Sequence, residues 1–196
     1  MDRPPPNVDD LLTLIHSAER LEALPRTGWI TCGVAHPESV AAHSYNVALI
    51  ALWIADHLER DVDTERLLRM ALLHDFGEAL LTDLPAPVKR LIGKEHVAQA
   101  EHQAAHALLG AAPERWTKDY DAHSDRAQLE GQILKAADTI QMLAKSLQYR
   151  QQHRGDVSGF WQGAPAREDH GIALVRQIFE RLEQHWRDGT WIRPGM

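Results

Sequence analysis

Cysteine and long apolar segments are scarce in this 196-residue chain. Its single cysteine, Cys32, cannot form an internal disulfide, which favours a reducing compartment such as the cytoplasm. The longest apolar segment, residues 47–55, is shorter than the about 20 residues that cross a bilayer. The N-terminus also lacks the basic and apolar regions of a secretory signal. We therefore expect a cytoplasmic protein that has no membrane partner.

Positive charge is scarce as well, because 21 lysines and arginines stand against 28 aspartates and glutamates, for a net charge of −7 with histidine neutral. Proteins that bind nucleic acid polymers or anionic membrane surfaces usually carry a basic patch. We predict neither kind of partner for this chain. A small anionic substrate remains compatible with the composition, since a local metal ion or arginine can attract it despite the overall charge.

Strand patterns are missing, because no segment shows sustained alternation of β-branched residues. Helical periodicity replaces them almost everywhere. Helices are predicted to begin after the caps Asn7 or Asp9, Ser39, and Asp63 or Thr64, and to span roughly 94–111, from 124 or 125 to 152, and 168–186. The apolar stripe of the first helix is predicted to contain Leu11, Leu14, Ile15, Ala18 and Leu21 or Leu24.

Helix-breaking residues separate these segments. A loop is predicted over residues 25–37, Gly77 is predicted to end or bend the third helix, and the segment 83–87 is predicted to cross irregularly. A chain of this length usually forms one core. We predict an all-α, single-domain helical bundle over residues 1–196, with a core over roughly 7–188 and short flexible tails.

Polar residues occupy three positions where the helical periodicity predicts apolar ones. They are His43, His74 and Asp138, and Asp75 directly follows His74. An ionised aspartate on a buried face costs several kcal/mol unless another group compensates its charge. Two carboxylates and two neutral imidazoles compensate one another if a divalent cation lies between them, with coordination positions left for water and substrate. This pattern predicts a catalytic metal site.

Each of these residues also has a simpler interpretation. His43 could be a hydrogen-bonded core histidine, and His74 could pair with Asp75 at a helix end. Asp138 could pair with Lys135, one turn earlier on the same helix. All three interpretations must hold together for the metal to be absent.

The order of the four residues resembles the H…HD…D signature of the HD-domain metal-dependent phosphohydrolases. The flanking segments are similar to those of the small HD-domain 5′-deoxynucleotidases and their eukaryotic relatives. These segments are residues 24–29, 37–40 with His43, 71–75 with Glu78, 83–85 and 135–138, all within 21–149. The resemblance implies the HD-domain helical fold.

The same resemblance implies an enzyme that hydrolyses a nucleoside 5′-monophosphate, typically a deoxyribonucleotide, by attack of a metal-bound water on phosphorus. One divalent cation would be held by His43, His74, Asp75 and Asp138. Nitrogen and hard oxygen ligands suit Mn²⁺, Co²⁺, Fe²⁺, Ni²⁺ or Zn²⁺ without choosing among them. The implied partners are a small-molecule nucleotide or other phosphomonoester and a second copy of the chain in a homodimer.

Four further residues take roles from the resemblance. Glu78 would orient or deprotonate the water, and Asp83 would protonate the leaving 5′-oxygen. Arg26 would bind phosphate oxygens, and Trp29 would stack on the base or sugar. The simpler interpretations are an exposed Glu78, a turn-forming Asp83 and a buried loop tryptophan.

The chain departs from common family members at two single positions. Cys32 stands where a basic residue is frequent, and Ala42 stands where an acidic residue is frequent. It also departs at residues 121–124, where an acidic–aromatic–acidic run is frequent. These differences leave the metal ligands intact and leave the choice of nucleotide, or of another phosphomonoester, open.

His102 and His106 are spaced to share one helix face, as in a two-histidine metal site. A second metal would indicate a dinuclear HD-domain enzyme, either a phosphodiesterase or a di-iron oxygenase. A third hypothesis is a metal-stabilised regulatory module without activity. The aromatic residues Phe160, Trp161, Trp186 and Trp191 could seal a dimer interface or cap the bundle.

Overall fold

The fold is all-α, as predicted, in a computed structural model that describes residues 7–110, 112–162 and 167–191. Within these ranges the only extended pairing is a bridge between Pro25 and Ser39. The N-terminal tail predicted for residues 1–6 lies outside the described residues, as does residue 111 at the predicted end of a helix. No helix in the described ranges has both the length and the apolar character of a membrane span.

The helices are α1 (Val8–Ala23), α2 (Thr27–Thr31), α3 (Val40–Asp56), α4 (Thr64–Leu73), α5 (Glu78–Leu81), α6 (Ala86–Ile92), α7 (Lys94–Leu109), α8 (Glu114–Ala122), α9 (Leu129–Gln151) and α10 (Ala173–Asp188), with a 3₁₀ turn at Ser158–Trp161. Three predicted caps are confirmed. The side chains of Asn7, Ser39 and Asp63 each accept a hydrogen bond from a backbone N–H in the first turn of the following helix.

The main core lies between α3, α4, α9 and α10, and a smaller cluster joins α1, α5, α7 and α8. The predicted stripe of α1 is wrong at Leu11, Ile15 and Ala18, which are exposed. The buried residues of α1 are Ser17 and Leu21. The helix therefore contacts the bundle through its C-terminal half.

Two predicted helix starts are too early because aspartates form local turns there. Asp125 accepts hydrogen bonds from the backbone N–H of Ala127 and the side chain of Gln128, so α9 begins only at Leu129. Before α10, Asp169 accepts from the N–H of Gly171, whose φ is 73°. A residue in this left-handed conformation cannot continue a helix, so α10 begins at Ala173.

Helix α8 was not predicted, and neither were the short helices α2, which lies in the predicted loop 25–37, α5 and α6. The apolar face of α8 consists of little more than Trp116 and Tyr120, which pack in the smaller cluster. An ion-pair network also holds α8 to α4. Asp119 of α8 lies 3.3 Å from Arg66 Nε and 2.6 Å from Arg69 Nε. A long-range contact of this kind leaves no signal in the local pattern of apolar residues.

Replacing Asp119 with alanine should destabilise the protein by about 3 kcal/mol, because it leaves two arginines partly buried without their carboxylate. Urea unfolding measures the change. Glu114→Ala is the matched control on α8, since its ion pair with Lys118 is exposed to solvent and its loss should leave the midpoint unchanged. Equal midpoints for the two variants would contradict the proposed importance of the Asp119 network.

The third predicted helix ends before Gly77 rather than at it. Helix α4 stops at Leu73, and a turn over residues 74–77 leads into α5. A Cβ atom on Gly77 would lie 2.5 Å from the carbonyl oxygen of Glu101 in α7. Glycine is therefore needed here, because only a residue without a Cβ atom lets this turn approach the backbone of α7 so closely. This approach places His74 and Asp75, which directly follow α4, on the side that faces the bundle.

The C-terminal aromatic side chains cap the bundle, which was one of the two predicted possibilities. Phe160, Trp161, Trp186 and Trp191 are all partly buried against the hydrophobic clusters. The rings of Trp161 and Trp186 stack with centroids 4.8 Å apart. Trp191, which the predicted core boundary near residue 188 placed in the C-terminal tail, packs on the main core instead. Residues 192–196 lie outside the described ranges.

Candidate metal centre

Three elements bring the predicted metal ligands together. His43 lies in α3, His74 and Asp75 lie in the turn after α4, and Asp138 lies in α9. The two histidine Nε2 atoms are 3.3 Å apart, and Asp75 Oδ2 lies 3.6 Å from His43 Nε2 and 3.4 Å from His74 Nε2. Asp138 approaches His43, with Oδ1 3.4 Å from His43 Nε2.

The other ring nitrogen of each histidine assigns its tautomer. His43 Nδ1 is 2.8 Å from Gln141 Oε1, and Gln141 donates its amide hydrogen to Glu38 Oε2. His74 Nδ1 is 2.8 Å from the carbonyl oxygen of Ala71. Since both partners are acceptors, both Nδ1 atoms carry the proton in the neutral rings.

This assignment leaves two unprotonated Nε2 atoms and the carboxylate oxygens of Asp75 and Asp138 facing one another. Acceptors at such short distances repel each other unless a cation or a proton lies between them. Imidazole nitrogen and carboxylate oxygen are the ligands of catalytic zinc and of related divalent ions. The donor set therefore fits one divalent transition cation.

Electrostatics in the cluster also favour a cation. Burial raises the pKa of Asp75, but His74, Arg26 and His43 lower it more strongly, to about 2. Arg26 Nη1 lies 2.9 Å from Asp75 Oδ2 and forms an ion pair with it. Asp75 is therefore a carboxylate near neutral pH.

Asp138 forms the ion pair with Lys135 that was the simpler interpretation, and it also faces His43. Its Oδ2 accepts a hydrogen bond from Lys135 Nζ at 2.8 Å, while Oδ1 faces His43. Burial raises the pKa of Asp138, but Lys135 and His43 bring it well below its usual value. Burial lowers the pKa of His43, but the nearby Asp138 and Asp75 raise it more strongly. The pKa of His43 therefore lies above its usual value.

A cavity of about 290 Å³ opens beside this cluster. Its wall includes both charged and aromatic side chains, among them Arg26, Trp29, Asp75, Glu78, Asp83, Lys89, Asp138 and Phe160. All four residues for which the resemblance implied catalytic or substrate roles therefore reach the same cavity as two of the predicted metal ligands. A phosphate group in this cavity would meet positive charge from Arg26.

Glu78 is buried in the first turn of α5, so the interpretation as an exposed glutamate is wrong. Its Oε2 atom has no hydrogen-bond partner among the described residues. Burial, together with the carboxylates of Asp75 and Asp83, raises the pKa of Glu78 to about 10. Without a bound cation, this side chain therefore holds a proton near neutral pH.

Asp83 and Trp29 are both fixed by contacts with distant parts of the chain. The buried-tryptophan interpretation of Trp29 is confirmed, whereas the side chain of Asp83 bonds to Thr27 rather than within a local turn. Asp83 Oδ2 accepts a hydrogen bond from the backbone N–H of Thr27 at 2.6 Å, which holds the segment after Arg26 in place. Trp29 is buried, packs on Tyr149 and Phe160, and donates its indole N–H to Glu38. Both side chains still line the cavity.

Comparison with known proteins decides the family. A profile of the HD domain matches residues 18–170. The chain belongs to the HD-domain family. This membership confirms the resemblance that the H…HD…D order indicated.

Individual relatives of this HD-domain protein share most of its length. The 5′-deoxynucleotidase HDDC2 of Xenopus laevis is 30% identical over 178 residues, which cover 87% of this chain and 86% of the relative. The human 5′-deoxynucleotidase HDDC2 is 28% identical over 176 residues, covering 86% and 84%. Among solved structures, a conserved hypothetical protein from Pyrococcus furiosus has 34% identity and a TM-score of 0.76, covering 91% of this chain and 99% of the other.

Sequence reasoning missed Gln141 and Glu38, which orient the predicted metal ligand His43 in this HD domain. Gln141 is buried and binds His43 Nδ1, while Glu38 binds both Gln141 and the indole of Trp29. Gln141 follows Asp138 by three residues on the buried face of α9. A polar residue on this apolar face was the signal that could have found it.

Replacing Gln141 with leucine should weaken metal binding by about 10–100-fold, because the apolar side chain no longer accepts the hydrogen bond from His43 Nδ1. Equilibrium dialysis of Mn²⁺ and Zn²⁺ into chelator-treated protein measures the affinity. Gln148→Leu, at a partly buried position of the same helix, is the control and should bind metal like the unaltered protein. An unchanged affinity in Gln141→Leu would show that this contact does not orient the ligand.

His102 and His106 do not join the HD-domain cluster. They meet Asp121 of α8 instead, and the three residues form a separate group of possible metal ligands. The dinuclear arrangement, in which extra histidines would bind a metal beside the first, therefore gains no support from these two residues.

Proposed function

We propose that this HD-domain protein is a divalent-metal-dependent phosphohydrolase that removes phosphate from nucleoside 5′-monophosphates, with deoxyribonucleotides as the preferred substrates. One observation carries the proposal: two unprotonated imidazole nitrogens and two carboxylates converge beside a cavity that Arg26 and Glu78 also reach. The 5′-deoxynucleotidases among its relatives support the substrate class.

In this proposal one cation is held by His43, His74, Asp75 and Asp138. When bound, a divalent cation lowers the pKa of water and neutralises charge on a phosphate oxygen. The two carboxylates carry two negative charges, which balance a divalent cation, and the two neutral imidazoles add no charge. The ligands suit Mn²⁺, Co²⁺, Fe²⁺, Ni²⁺ or Zn²⁺, and we propose a metal from this group.

The remaining residues bind the substrate and transfer protons. Arg26 presents a planar guanidinium to the cavity and would bind phosphate oxygens through two parallel hydrogen bonds. Glu78 would orient the attacking water or exchange a proton with it, since its carboxyl group is buried in the cavity wall. Trp29 would pack on the base or sugar.

Asp83 keeps its proposed role as donor of a proton to the leaving 5′-oxygen. Its Oδ2 atom already accepts hydrogen bonds from the backbone N–H and the hydroxyl of Thr27. The proton transfer would therefore use Oδ1. The hydrogen bonds from Thr27 also give Asp83 a structural role, because they fix the backbone next to Arg26.

Phosphate release from a panel of nucleotides tests the function. The panel contains ribo- and deoxyribonucleoside 5′-monophosphates and the simple phosphomonoester p-nitrophenyl phosphate, each assayed with Mn²⁺, Co²⁺, Ni²⁺ or Zn²⁺. Deoxyribonucleoside 3′-monophosphates serve as the positional control. We expect release from the deoxyribonucleoside 5′-monophosphates to exceed release from the other compounds. Activity on simple phosphomonoesters but on no nucleotide would overturn the substrate class, and activity on neither would overturn the phosphohydrolase.

We also propose that the protein is cytoplasmic and forms a homodimer. Its single, partly buried cysteine supports a reducing compartment.

An exposed apolar surface on α3 would supply the dimer interface. It consists of Tyr45, Leu49 and Trp53, which are exposed at four-residue spacing along this helix. Light scattering after size-exclusion chromatography tests the dimer, and Trp53→Glu should convert it to a monomer.

A further inference from the structure

A second group of metal-ligating side chains lies on the surface where α7 meets α8. His102 and His106 project from one face of α7, and their rings stack with centroids 4.1 Å apart. Asp121 of α8 faces them, with Oδ1 3.0 Å from His102 Nε2 and 2.6 Å from His106 Nε2. Both imidazoles therefore point the same ring nitrogen at a single carboxylate oxygen from another helix.

The geometry is that of a three-residue ligand set. One ligand atom from each residue lies within 4.8 Å of the other two, so an ion between them could contact all three with small side-chain adjustments. The two histidines are four residues apart in a regular helix, which holds their spacing without help from a loop. Two imidazoles and one carboxylate are a common ligand set for divalent transition ions.

The cluster is also open to solvent, unlike the HD-domain centre. The side chains of His102, His106 and Asp121 are 53%, 36% and 45% exposed. An ion can therefore reach them directly and complete its coordination with water. The two ligand sets share no residue, so each can be occupied without the other.

We propose that His102, His106 and Asp121 form a second binding site for a divalent transition metal ion, with Zn²⁺ as the representative ligand, and that the ion ties α7 to α8. The carboxylate distinguishes this site from a bare histidine pair, because it comes from the neighbouring helix. Binding would hold α8 in place, and through Asp119 it would hold Arg66 and Arg69 of α4.

The stoichiometry of zinc binding tests the proposal without any measurement of activity. Chelator-treated protein is titrated with Zn²⁺ by calorimetry, and bound metal per chain is counted after dialysis. We expect two ions in the unaltered protein, one in the double variant His102→Ala/His106→Ala and one in Asp75→Ala. His96→Ala removes another exposed histidine of α7 and should still bind two ions.

The role of the carboxylate is tested separately with Asp121→Asn in the Asp75→Ala background, where only the surface site should bind. We expect the Zn²⁺ affinity to fall by at least about tenfold. Even residues that only support a metal ligand cost about 10–100-fold in affinity when they are replaced, and Asp121 would contact the ion directly. Zn²⁺ should also slow amide hydrogen exchange in α8 of Asp75→Ala but not in the triple variant that also lacks both histidines.

Three outcomes would overturn the proposal. The first is one ion per chain in both the unaltered protein and the double histidine variant, and the second is two ions in the double histidine variant. The third is an affinity unaffected by Asp121→Asn, which would reduce the cluster to an adventitious histidine pair. All four altered side chains other than Asp75 are at least partly exposed, so circular dichroism should show the same helical content throughout.

Discussion

Replacing Asp75 with alanine should remove the metal from the HD-domain centre and lower kcat/KM for phosphate release by about 10³-fold or more. Asp75 Oδ2 lies close to both Nε2 atoms and forms the ion pair with Arg26, so no other single carboxylate contacts as much of the centre. Loss of a catalytic cation removes several kcal/mol of transition-state stabilisation, and each 1.36 kcal/mol corresponds to a factor of ten. Metal analysis and steady-state kinetics on the same samples measure both effects.

Asp61→Ala is the control for this experiment, because Asp61 is an exposed aspartate in the segment between α3 and α4. It should keep both the metal and the activity. Circular dichroism of Asp75→Ala should show the unaltered helical content. If Asp75→Ala retained the metal of the HD-domain centre and its kcat/KM fell by less than about tenfold, this centre would not be the catalytic site.

Replacing Glu78 with glutamine should lower kcat by about 10²–10⁴-fold while leaving metal content and KM nearly unchanged. The amide matches the protonated carboxyl group in size and shape, so the buried site accommodates it. It cannot exchange a proton with water or substrate. A selective loss of kcat would therefore identify proton transfer or water orientation as the task of this side chain, whereas a matching loss of bound metal would show that Glu78 belongs to the ligand set.

The same variant makes a prediction about pH and stability. Because the pKa of Glu78 rises from its usual 4.5 to about 10 on folding, the folded protein binds a proton that the unfolded chain releases between these values. This contribution to the free energy of unfolding is therefore present below about pH 4.5 and is lost as pH rises toward about 10. Glu78→Gln removes the titrating group, so its stability should fall less with increasing pH.

Urea unfolding of chelator-treated protein at about pH 6 and about pH 9 measures this difference. Metal-free protein is required because a bound cation lowers the pKa of nearby carboxyl groups. Asp61→Ala again serves as the control and should follow the unaltered protein. An equal loss of stability in Glu78→Gln and in the unaltered protein would contradict the raised pKa.

Local sequence signals predicted those parts of the fold that local interactions determine. Caps such as Ser39 and Asp63 were found because the capping side chain bonds to a backbone N–H only three residues away. Helix α8 was missed because Asp119 reaches α4 across 50 residues of sequence, and no local pattern encodes such a contact. The exposed half of α1 has the periodicity of a buried helix and was predicted wrongly for that reason.

The candidate site was easier to predict than its supporting residues. His43, His74 and Asp138 interrupt apolar stripes, and the cost of burying such groups pointed to a common ligand. The contact between Asp83 and Thr27 could not be predicted, since it depends on how the chain crosses between α5 and α6. The surface pairing of His102 and His106 with Asp121 depends in the same way on the packing of α8.

The order in which the ribosome makes the chain limits when this protein can acquire its metal. The proton on His43 is held by Gln141, 98 positions further along, and Asp75 binds Arg26 from 49 positions earlier. Until α9 has left the ribosome, the nascent chain lacks both Asp138 and the Gln141 side chain that fixes the tautomer of His43. The complete set of predicted ligands can therefore form only after α9 has been synthesised.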